Sequence, residues 1–147
     1  MAFRRSLPPV PQRPVIVLLA EHHDDSRETL ARDLEREGAL VDAVADGEAA
    51  LERMISQRFR PDVVVSDLRL PHRNGLNVLA ELRGTGLTTP FVLLARSTDA
   101  IDPDAVATFG AAVVLPKPLH FEELRRTLRR LVSTTRWNGS RTAETPR

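Results

Sequence analysis

Val63-Val64-Val65-Ser66-Asp67 is a run of three β-branched residues followed by a small polar residue and an acid. β-branched residues favour strands, and a continuous apolar run is typical of a strand buried on both faces of a parallel sheet. In such sheets, ligands bind at the carboxyl ends of the strands. The segment therefore predicts a buried strand that presents the Asp67 carboxylate at a functional edge of the sheet.

Similar apolar runs recur on both sides of this segment. Each is followed by a stretch with apolar residues at helical spacing, and glycine or proline punctuates the boundaries. The predicted strands are residues 15–20, 40–45, 63–67, 91–94 and 112–115. Strands that alternate with helices through right-handed crossovers predict an α/β fold, a doubly wound parallel sheet of five strands with five helices on its two faces.

Length and composition limit the classes of protein that this chain can be. Its 147 residues suit one domain, and the absence of cysteine excludes disulfides, thiolate metal sites and cysteine nucleophiles. The 21 basic and 20 acidic residues nearly cancel, which disfavours a nucleic-acid partner. The longest apolar run, residues 15–20, is far shorter than the ~20 residues that span a bilayer. We expect a cytoplasmic protein without a membrane segment.

The two ends of the chain differ from its centre. Residues 1–14 are rich in proline and arginine and predict a flexible arm, and residues 134–147 lack periodicity and predict a flexible tail. Within that tail, Trp137 is expected to dock on the body of the protein or on a partner. The folded domain is predicted to span residues 15–133. We expect no further domain after the last helix and therefore expect this domain to act alone.

A second residue joins Asp67 as a functional candidate. Lys117 follows the fifth apolar run and stands between two prolines, an arrangement that generic surface charge does not explain. Because the carboxyl ends of parallel strands meet at one edge, Asp67 and Lys117 are predicted to pair in one crevice. A purely structural salt bridge is the alternative.

Residues 15 to about 133 resemble the receiver domain of two-component response regulators. The resemblance rests on three segments in order: Ser66-Asp67-Leu68-Arg69-Leu70-Pro71 with Gly75; Val41-Asp42-Ala43-Val44-Ala45-Asp46-Gly47-Glu48-Ala49-Ala50-Leu51; and Gly110-Ala111-Ala112 with Leu115-Pro116-Lys117-Pro118. It implies a flavodoxin-like (βα)5 fold with strand order 2-1-3-4-5. It also implies a cis peptide bond between Lys117 and Pro118.

The resemblance assigns roles to particular residues. It implies that Asp67 accepts a phosphoryl group from a sensor histidine kinase or a phosphotransfer protein, and that Lys117 binds this group. It implies a Mg²⁺ site made by Glu21, the residue at position 22, Asp67 and the backbone carbonyl of Arg69. The implied role is that of a signalling module, not an enzyme.

Three positions depart from the family pattern. His22 stands at the position of the second metal-binding acid. Because imidazole is a poor ligand for Mg²⁺, metal binding is expected to be weak or absent. The switch hydroxyl is replaced by Ala95, or by Leu94 on a second alignment, and the switch aromatic by Val114. The active site is therefore expected to be degenerate.

Three interpretations of this altered pocket remain open. A weakened Mg²⁺ site is one, to which Asp24 and Asp25 would contribute unless they cap the first helix. In the second, protonated His22 or Arg96 pairs with Asp67 in place of a metal. In the third, the pocket is held only by packing and by the pair of Asp67 with Lys117.

The output surface is predicted on the fourth helix, the fifth strand and the fifth helix. Four arginines are expected to point outward there, either toward an acidic partner protein or simply into solvent: Arg125, Arg126, Arg129 and Arg130. A monomer or weak homodimer is expected. The predicted function is a phosphorelay receiver that acts through protein contacts, and the alternative is a pseudo-receiver whose interactions do not depend on phosphorylation.

Overall fold

The computed structural model describes residues 13–56, 60–110, 112–132 and 137. Strands and helices alternate along this part of the chain. In chain order they are β1 (Ile16–Ala20), α1 (Asp24–Arg36), β2 (Leu40–Val44), α2 (Gly47–Ile55), β3 (Val63–Asp67), α3 (Gly75–Gly84), β4 (Phe91–Arg96), α4 (Pro103–Ala107), β5 (Ala112–Lys117) and α5 (Phe121–Leu131).

All neighbouring strands are parallel, and their order across the sheet is β2-β1-β3-β4-β5. The predicted doubly wound sheet and its strand order are therefore confirmed. The chain reverses its direction of progress across the sheet between β1 and β3, and ligand crevices form at such a point. Ala20 of β1 is in register with Ser66 of β3, so the residues that follow them, Glu21 and Asp67, leave the sheet side by side.

Apolar layers cover both faces of the sheet. Val63 and Val65 belong to a core cluster with residues of α1 and α5, whereas Val64 belongs to a second cluster with residues of α2 and α3. Successive side chains of a strand point to opposite faces, so a strand covered on both sides needs apolar residues at every position. This explains the unbroken valine run.

The start of α1 differs from the prediction. The N-cap residue is His23, whose side chain makes no capping hydrogen bond, and Asp24 and Asp25 lie in the first turn of the helix. The expectation that Asp24 or Asp25 caps α1 is therefore wrong. Their carboxylates instead stand where the partial positive charge of the helix N-terminus favours acids. Asp24 also accepts a hydrogen bond of 2.6 Å from Arg27.

Gly75 allows α3 to begin directly against the end of β3. A Cβ atom at this position would lie 2.3 Å from the Asp67 carbonyl oxygen and 2.7 Å from Leu93 Cδ1. The Gly75 amide donates a hydrogen bond of 2.8 Å to the Leu68 carbonyl, which closes the loop after Asp67. The glycine is thus required by close approach of backbone to backbone.

The arginines of α5 do not form the single outward face that was predicted. Arg125 Nε and Arg129 Nη2 each donate a hydrogen bond of 3.0 Å to Glu37 Oε1, at the end of α1. Arg126 and Arg130 are exposed. The prediction is wrong for Arg125 and Arg129 because the acid that recruits them lies on a neighbouring element, and they fasten α5 to α1.

Trp137 lies within the predicted tail but is packed on the body of the domain. Its side chain is 2% exposed and belongs to the core cluster that contains Leu34 and Leu128. The guanidinium of Arg129 lies 6.0 Å from the centre of its ring, at the limit of a cation–π contact. This agrees with the expectation that Trp137 docks on the body of the protein.

Parts of the predicted arm, tail and motifs lie outside the described residues. These are residues 1–12, 133–136 and 138–147, with Ala111 of the lysine segment. At the end of the predicted arm, Arg13 pairs with Asp62 at 3.1 Å. Among the helices described, none is long and apolar enough to cross a membrane.

Candidate functional site

Three charged side chains converge at the carboxyl edge of the sheet. Glu21 follows β1, Asp67 ends β3 and Lys117 ends β5. Lys117 Nζ donates a hydrogen bond of 2.7 Å to Asp67 Oδ1 and one of 3.4 Å to Glu21 Oε1. Glu21 is 2% and Asp67 4% exposed. The predicted pairing of Asp67 with Lys117, which is the only lysine of the chain, is therefore confirmed.

Backbone hydrogen bonds fix Asp67 in this position. The Leu68 amide donates a hydrogen bond of 2.8 Å to the Leu94 carbonyl, which extends the ladder between β3 and β4 beyond Asp67. The Ser66 hydroxyl donates a hydrogen bond of 2.8 Å to the Asp67 carbonyl. The hydrogen bond from the Gly75 amide to the Leu68 carbonyl then turns the chain away, so the backbone that carries the Asp67 carboxylate is fixed.

Glu21 is held just as firmly. Its amide donates a hydrogen bond of 3.0 Å to the Val44 carbonyl, and its Oε2 accepts a hydrogen bond of 3.0 Å from the amide of His23. Its other carboxylate oxygen accepts from Lys117. Both oxygens of Glu21 therefore already have hydrogen-bond donors within the protein.

Burial dominates the electrostatics of this cluster. Burial and the neighbouring Glu21 carboxyl raise the pKa of Asp67 to about 7, against the opposing effect of Lys117. Burial also acts to raise the pKa of Glu21, but hydrogen bonds with Asp67, the His23 amide and Lys117 outweigh it and lower that pKa. Burial acts to lower the pKa of Lys117, and the two carboxyls outweigh it and raise that pKa. Near neutral pH, Glu21 and Lys117 are charged and Asp67 is close to its titration midpoint.

A cavity of about 190 Å³ opens above Asp67. Its lining carries both acids and bases: His22, His23, Asp67, Arg69, Leu94, Arg96, Asp99 and Lys117. The rings of His22 and His23 are exposed, with centres 5.5 Å apart. Both histidines therefore stand at the rim, and the wall above Asp67 is mostly polar.

An ion pair crosses the mouth of this cavity. Arg69 Nε donates a hydrogen bond of 2.6 Å to Asp99 Oδ1, and the Arg96 amide donates one of 2.8 Å to Asp99 Oδ2. The hydrogen bond from the Arg96 amide lowers the pKa of Asp99 against the effect of burial, and the hydrogen bond from Arg69 and the charges of Arg69 and Arg96 lower it further. Together they tie the loop after β3 to the turn after β4.

Sequence reasoning missed Asp99. The signal that points to it is local, since Ser97-Thr98-Asp99 follows the end of β4. Serine, threonine and aspartate in such a run turn the chain by bonding nearby backbone amides. That turn brings Asp99 back toward the functional edge of the sheet.

Comparison with known proteins identifies this arrangement. The family model of the response regulator receiver domain matches residues 17–129. The chain belongs to this family. Receiver domains are signalling modules of two-component systems, bind Mg²⁺ and interact with sensor kinases and downstream effectors.

Curated relatives of this receiver include response regulators named MprA. The protein from Mycolicibacterium vanbaalenii is 36% identical and that from Mycobacterium tuberculosis 35% identical, each over 122 residues. Each match covers 83% of this chain and 52% of the relative, so the receiver spans about half the length of these proteins. The expectation that the domain acts alone stays a prediction.

Solved receiver structures share the fold. The receiver domain of the Francisella response regulator 1452 has a TM-score of 0.74 at 24% identity, covering 82% of this chain and 98% of that one. Chemotaxis protein CheY4 of Vibrio cholerae has a TM-score of 0.71 at 28% identity, covering 81% and 99%. TrrA of Thermotoga maritima, in complex with Mg²⁺ and BeF, has a TM-score of 0.69 at 25% identity, covering 80% and 99%.

The two predicted switch positions offer neither a hydroxyl nor an aromatic ring in this receiver. Ala95 is buried within β4, and Val114 packs against the cluster formed with α2 and α3. Leu94, the alternative to Ala95, lines the cavity and is in register with Asp67. The peptide bond between Lys117 and Pro118 is cis, as predicted.

The residues around Asp67 fit a divalent cation only in part. Glu21 and Asp67 supply carboxylates, but His22 replaces the second acid and Asp24 is paired with Arg27. Across the described parts of the chain, no three histidine, aspartate or glutamate side chains converge to hold a metal ion. Mg²⁺ prefers several oxygen ligands in octahedral geometry, and this receiver offers few of them.

Proposed function

We propose that this receiver accepts a phosphoryl group on Asp67 from a phosphohistidine of a sensor histidine kinase or phosphotransfer protein. One observation carries the proposal: a buried carboxylate lies 2.7 Å from the ammonium of Lys117 at the switch point of the sheet. This contact supports the proposal because phosphoryl transfer needs a nucleophile beside a cation that can neutralise the phosphoryl oxygens.

The transfer step follows from these two residues. An ionised Asp67 oxygen attacks the phosphorus atom, an O–P bond forms, and the P–N bond to the donor imidazole breaks with its electron pair returning to nitrogen. Lys117 offsets the repulsion between the carboxylate and the phosphoryl oxygens. Because the pKa of Asp67 is about 7, the reactive ionised form grows as the pH rises through neutrality.

We propose that Mg²⁺ binds this receiver weakly. Glu21, Asp67 and the backbone carbonyl of Arg69 would hold it, with His22 contributing little because imidazole suits softer metals. When bound, the ion supplies positive charge that offsets the charge of the phosphoryl group. Lys117 and Arg96, which line the same cavity, supply part of that positive charge from the protein itself.

The altered switch positions bear on how the signal leaves the domain. With Ala95 and Val114 in place, no hydroxyl or aromatic ring at these positions can follow the phosphoryl group. We propose that output passes through contacts with a downstream protein on α4, β5 and α5, where Arg126 and Arg130 are exposed and suit an acidic surface.

A pseudo-receiver is the second candidate function. It is favoured by the closed pair of Lys117 with Asp67, which neutralises the site without a phosphoryl group. In that case the domain binds its partner in one fixed conformation, and modification of Asp67 does not alter binding.

Incubation with phosphoramidate, a small donor with a P–N bond, tests the proposal. Wild type and Asp67→Asn are treated in parallel with and without Mg²⁺, and intact mass spectrometry follows the gain of one phosphoryl group. An acid-stable, base-labile gain in wild type alone is expected. No gain across pH values from 6 to 9, or an equal gain in Asp67→Asn, overturns the phosphoacceptor function and leaves the pseudo-receiver.

A further inference from the structure

We infer that Arg96 and Lys117 form an oxyanion site above Asp67 that recognises a phosphoryl group without a divalent cation. The inference rests on the proposed function of Asp67 as phosphoacceptor and adds to it the group that neutralises the product. Arg96 is the last residue of β4, and its register partner on β5 is Lys117. Register partners in a parallel sheet present their side chains to the same face. Both residues line the cavity above Asp67.

The Arg96 guanidinium is available for a ligand. Within the described part of the chain its side chain makes no hydrogen bond: its amide binds Asp99, and its charge acts on the Asp99 carboxylate without a direct bond. Arg69, by contrast, is held by Asp99 through its side chain. Arg96 is exposed at the cavity wall, where its planar group can offer two parallel donors to an oxyanion.

The charge around Asp67 calls for this second cation. Lys117 divides its ammonium between Asp67 and Glu21, at 2.7 and 3.4 Å. A phosphoryl group on Asp67 adds further negative charge that one shared ammonium does not balance. His22 stands where the family pattern has a second acid, so the rim carries one negative charge fewer. Less positive charge from a metal is then needed, and an incoming anion meets less repulsion. Arg96 then supplies the missing positive charge.

The cavity has room for the ligand. Its volume of about 190 Å³ is several times the roughly 30 Å³ that one water molecule takes up in the liquid, so a tetrahedral oxyanion can enter it. The site is thus suited to a phosphoryl group attached to Asp67, or to free inorganic phosphate when Asp67 is unmodified.

Binding of inorganic phosphate tests the site without any covalent step. Phosphate is titrated into the protein in EDTA, with ionic strength matched by chloride, and the shifts of amide resonances near residues 94–99 are followed. We expect saturable binding that weakens about tenfold in Arg96→Ala, because a bidentate charge-assisted contact is lost. Arg126→Ala, which removes an exposed arginine on α5, is the matched control and is expected to bind as wild type does. Asp67→Asn is expected to bind more tightly, since it removes a carboxylate from the cavity.

Two outcomes of the titration overturn the inference: equal affinity in wild type and Arg96→Ala, or equal weakening in Arg96→Ala and Arg126→Ala. Unfolding curves of the variants show whether either substitution disturbs the fold. Because both arginines are exposed, unchanged midpoints are expected.

The covalent reaction separates this inference from the proposed function. With phosphoramidate in EDTA, we expect wild type to be modified and Arg96→Ala to react about tenfold more slowly, a deficit that Mg²⁺ reduces. Modification that is equally fast in Arg96→Ala refutes the arginine site and leaves the phosphoacceptor function intact. Phosphate binding that depends on Arg96, with no modification under any condition, refutes the phosphoacceptor function and leaves the arginine site intact.

Discussion

Replacement of Lys117 by methionine tests the buried charge cluster most directly. Methionine keeps an unbranched apolar stem, so the main loss is the ammonium that lies 2.7 Å from Asp67 and 3.4 Å from Glu21. The Lys117 side chain is only 23% exposed, and those of its partners 5% and 3%. Loss of one partner of a buried pair costs about 3–5 kcal/mol. Because Asp67 can take up a proton and so lose its charge, we expect Lys117→Met to lower the free energy of unfolding by about 3 kcal/mol at pH 8, the lower end of that range.

The cost should depend on pH in a defined direction. The pKa of Asp67 is raised to about 7 in the folded state. Its contribution to stability is therefore fully present when the pH is below the pKa of Asp67 in the unfolded chain, and it is lost as the pH rises through 7. The pKa of Glu21 is lowered in the folded state. Glu21 therefore stabilises the fold when the pH is above its pKa in the unfolded chain, and it loses that effect as the pH falls through its folded pKa. Without Lys117, both carboxyls favour their protonated forms. The cost of Lys117→Met should therefore fall to about 1 kcal/mol at pH 5.5.

Urea unfolding followed by far-ultraviolet circular dichroism measures this cost at the two pH values. Arg126→Met is the control, since it removes an exposed positive charge and should change the free energy of unfolding by less than about 0.5 kcal/mol. The double variant Lys117→Met with Asp67→Asn should recover part of the loss, because one of the two carboxyls left without a cation is removed. A cost that is the same at pH 5.5 and pH 8, or no cost at either, refutes this account of the cluster.

Three further predictions test other parts of the structure. Gly75→Ala should destabilise the fold by about 2–3 kcal/mol through its clash with the Asp67 carbonyl, whereas Gly84→Ala, which meets no atom within 4 Å, should stabilise α3 by about 0.5–1 kcal/mol; equal effects in thermal unfolding would contradict the close approach. His22→Asp should tighten Mg²⁺ binding at least about tenfold in a calorimetric titration, because a hard oxygen replaces imidazole; unchanged affinity would show that position 22 is not the defect. Glu37→Ala should lower the free energy of unfolding by about 1–2 kcal/mol, since two guanidinium groups lose their shared acceptor; a neutral effect in urea would mean that the contact does not fasten α5.

The fold could be predicted because its pattern is local and repeated. Apart from β2, which contains Asp42 and is partly exposed, the apolar runs are too continuous for half-exposed strands. Each run is followed by helical spacing, which leaves few topologies. The pair of Asp67 with Lys117 was equally accessible, because both residues come directly after buried strands. The ends of parallel strands meet at one edge whatever the details of the loops.

Other features depend on contacts between elements that no single segment encodes. Helical periodicity shows that Arg125 and Arg129 face away from the core, but not that Glu37 stands beside them at the end of α1. Likewise, an acid near a helix start suggests a cap, yet the register of α1 places Asp24 one position too late. The hydrogen bond from Arg69 to Asp99 joins two loops, and loop conformation is the part of a fold that sequence pattern constrains least.

The solitary lysine gives the pocket its own chemical label. Every other basic side chain among the 21 lysines and arginines is a guanidinium, which does not react with mild acylating reagents, so Lys117 is the one side-chain amine that they can modify. Its nitrogen is engaged by two carboxyls and partly shielded, and an anion seated above Asp67 would shield it further. The rate at which an amine-reactive reagent labels Lys117, followed on the peptide that contains it, should therefore report the occupancy of the pocket without any engineered probe.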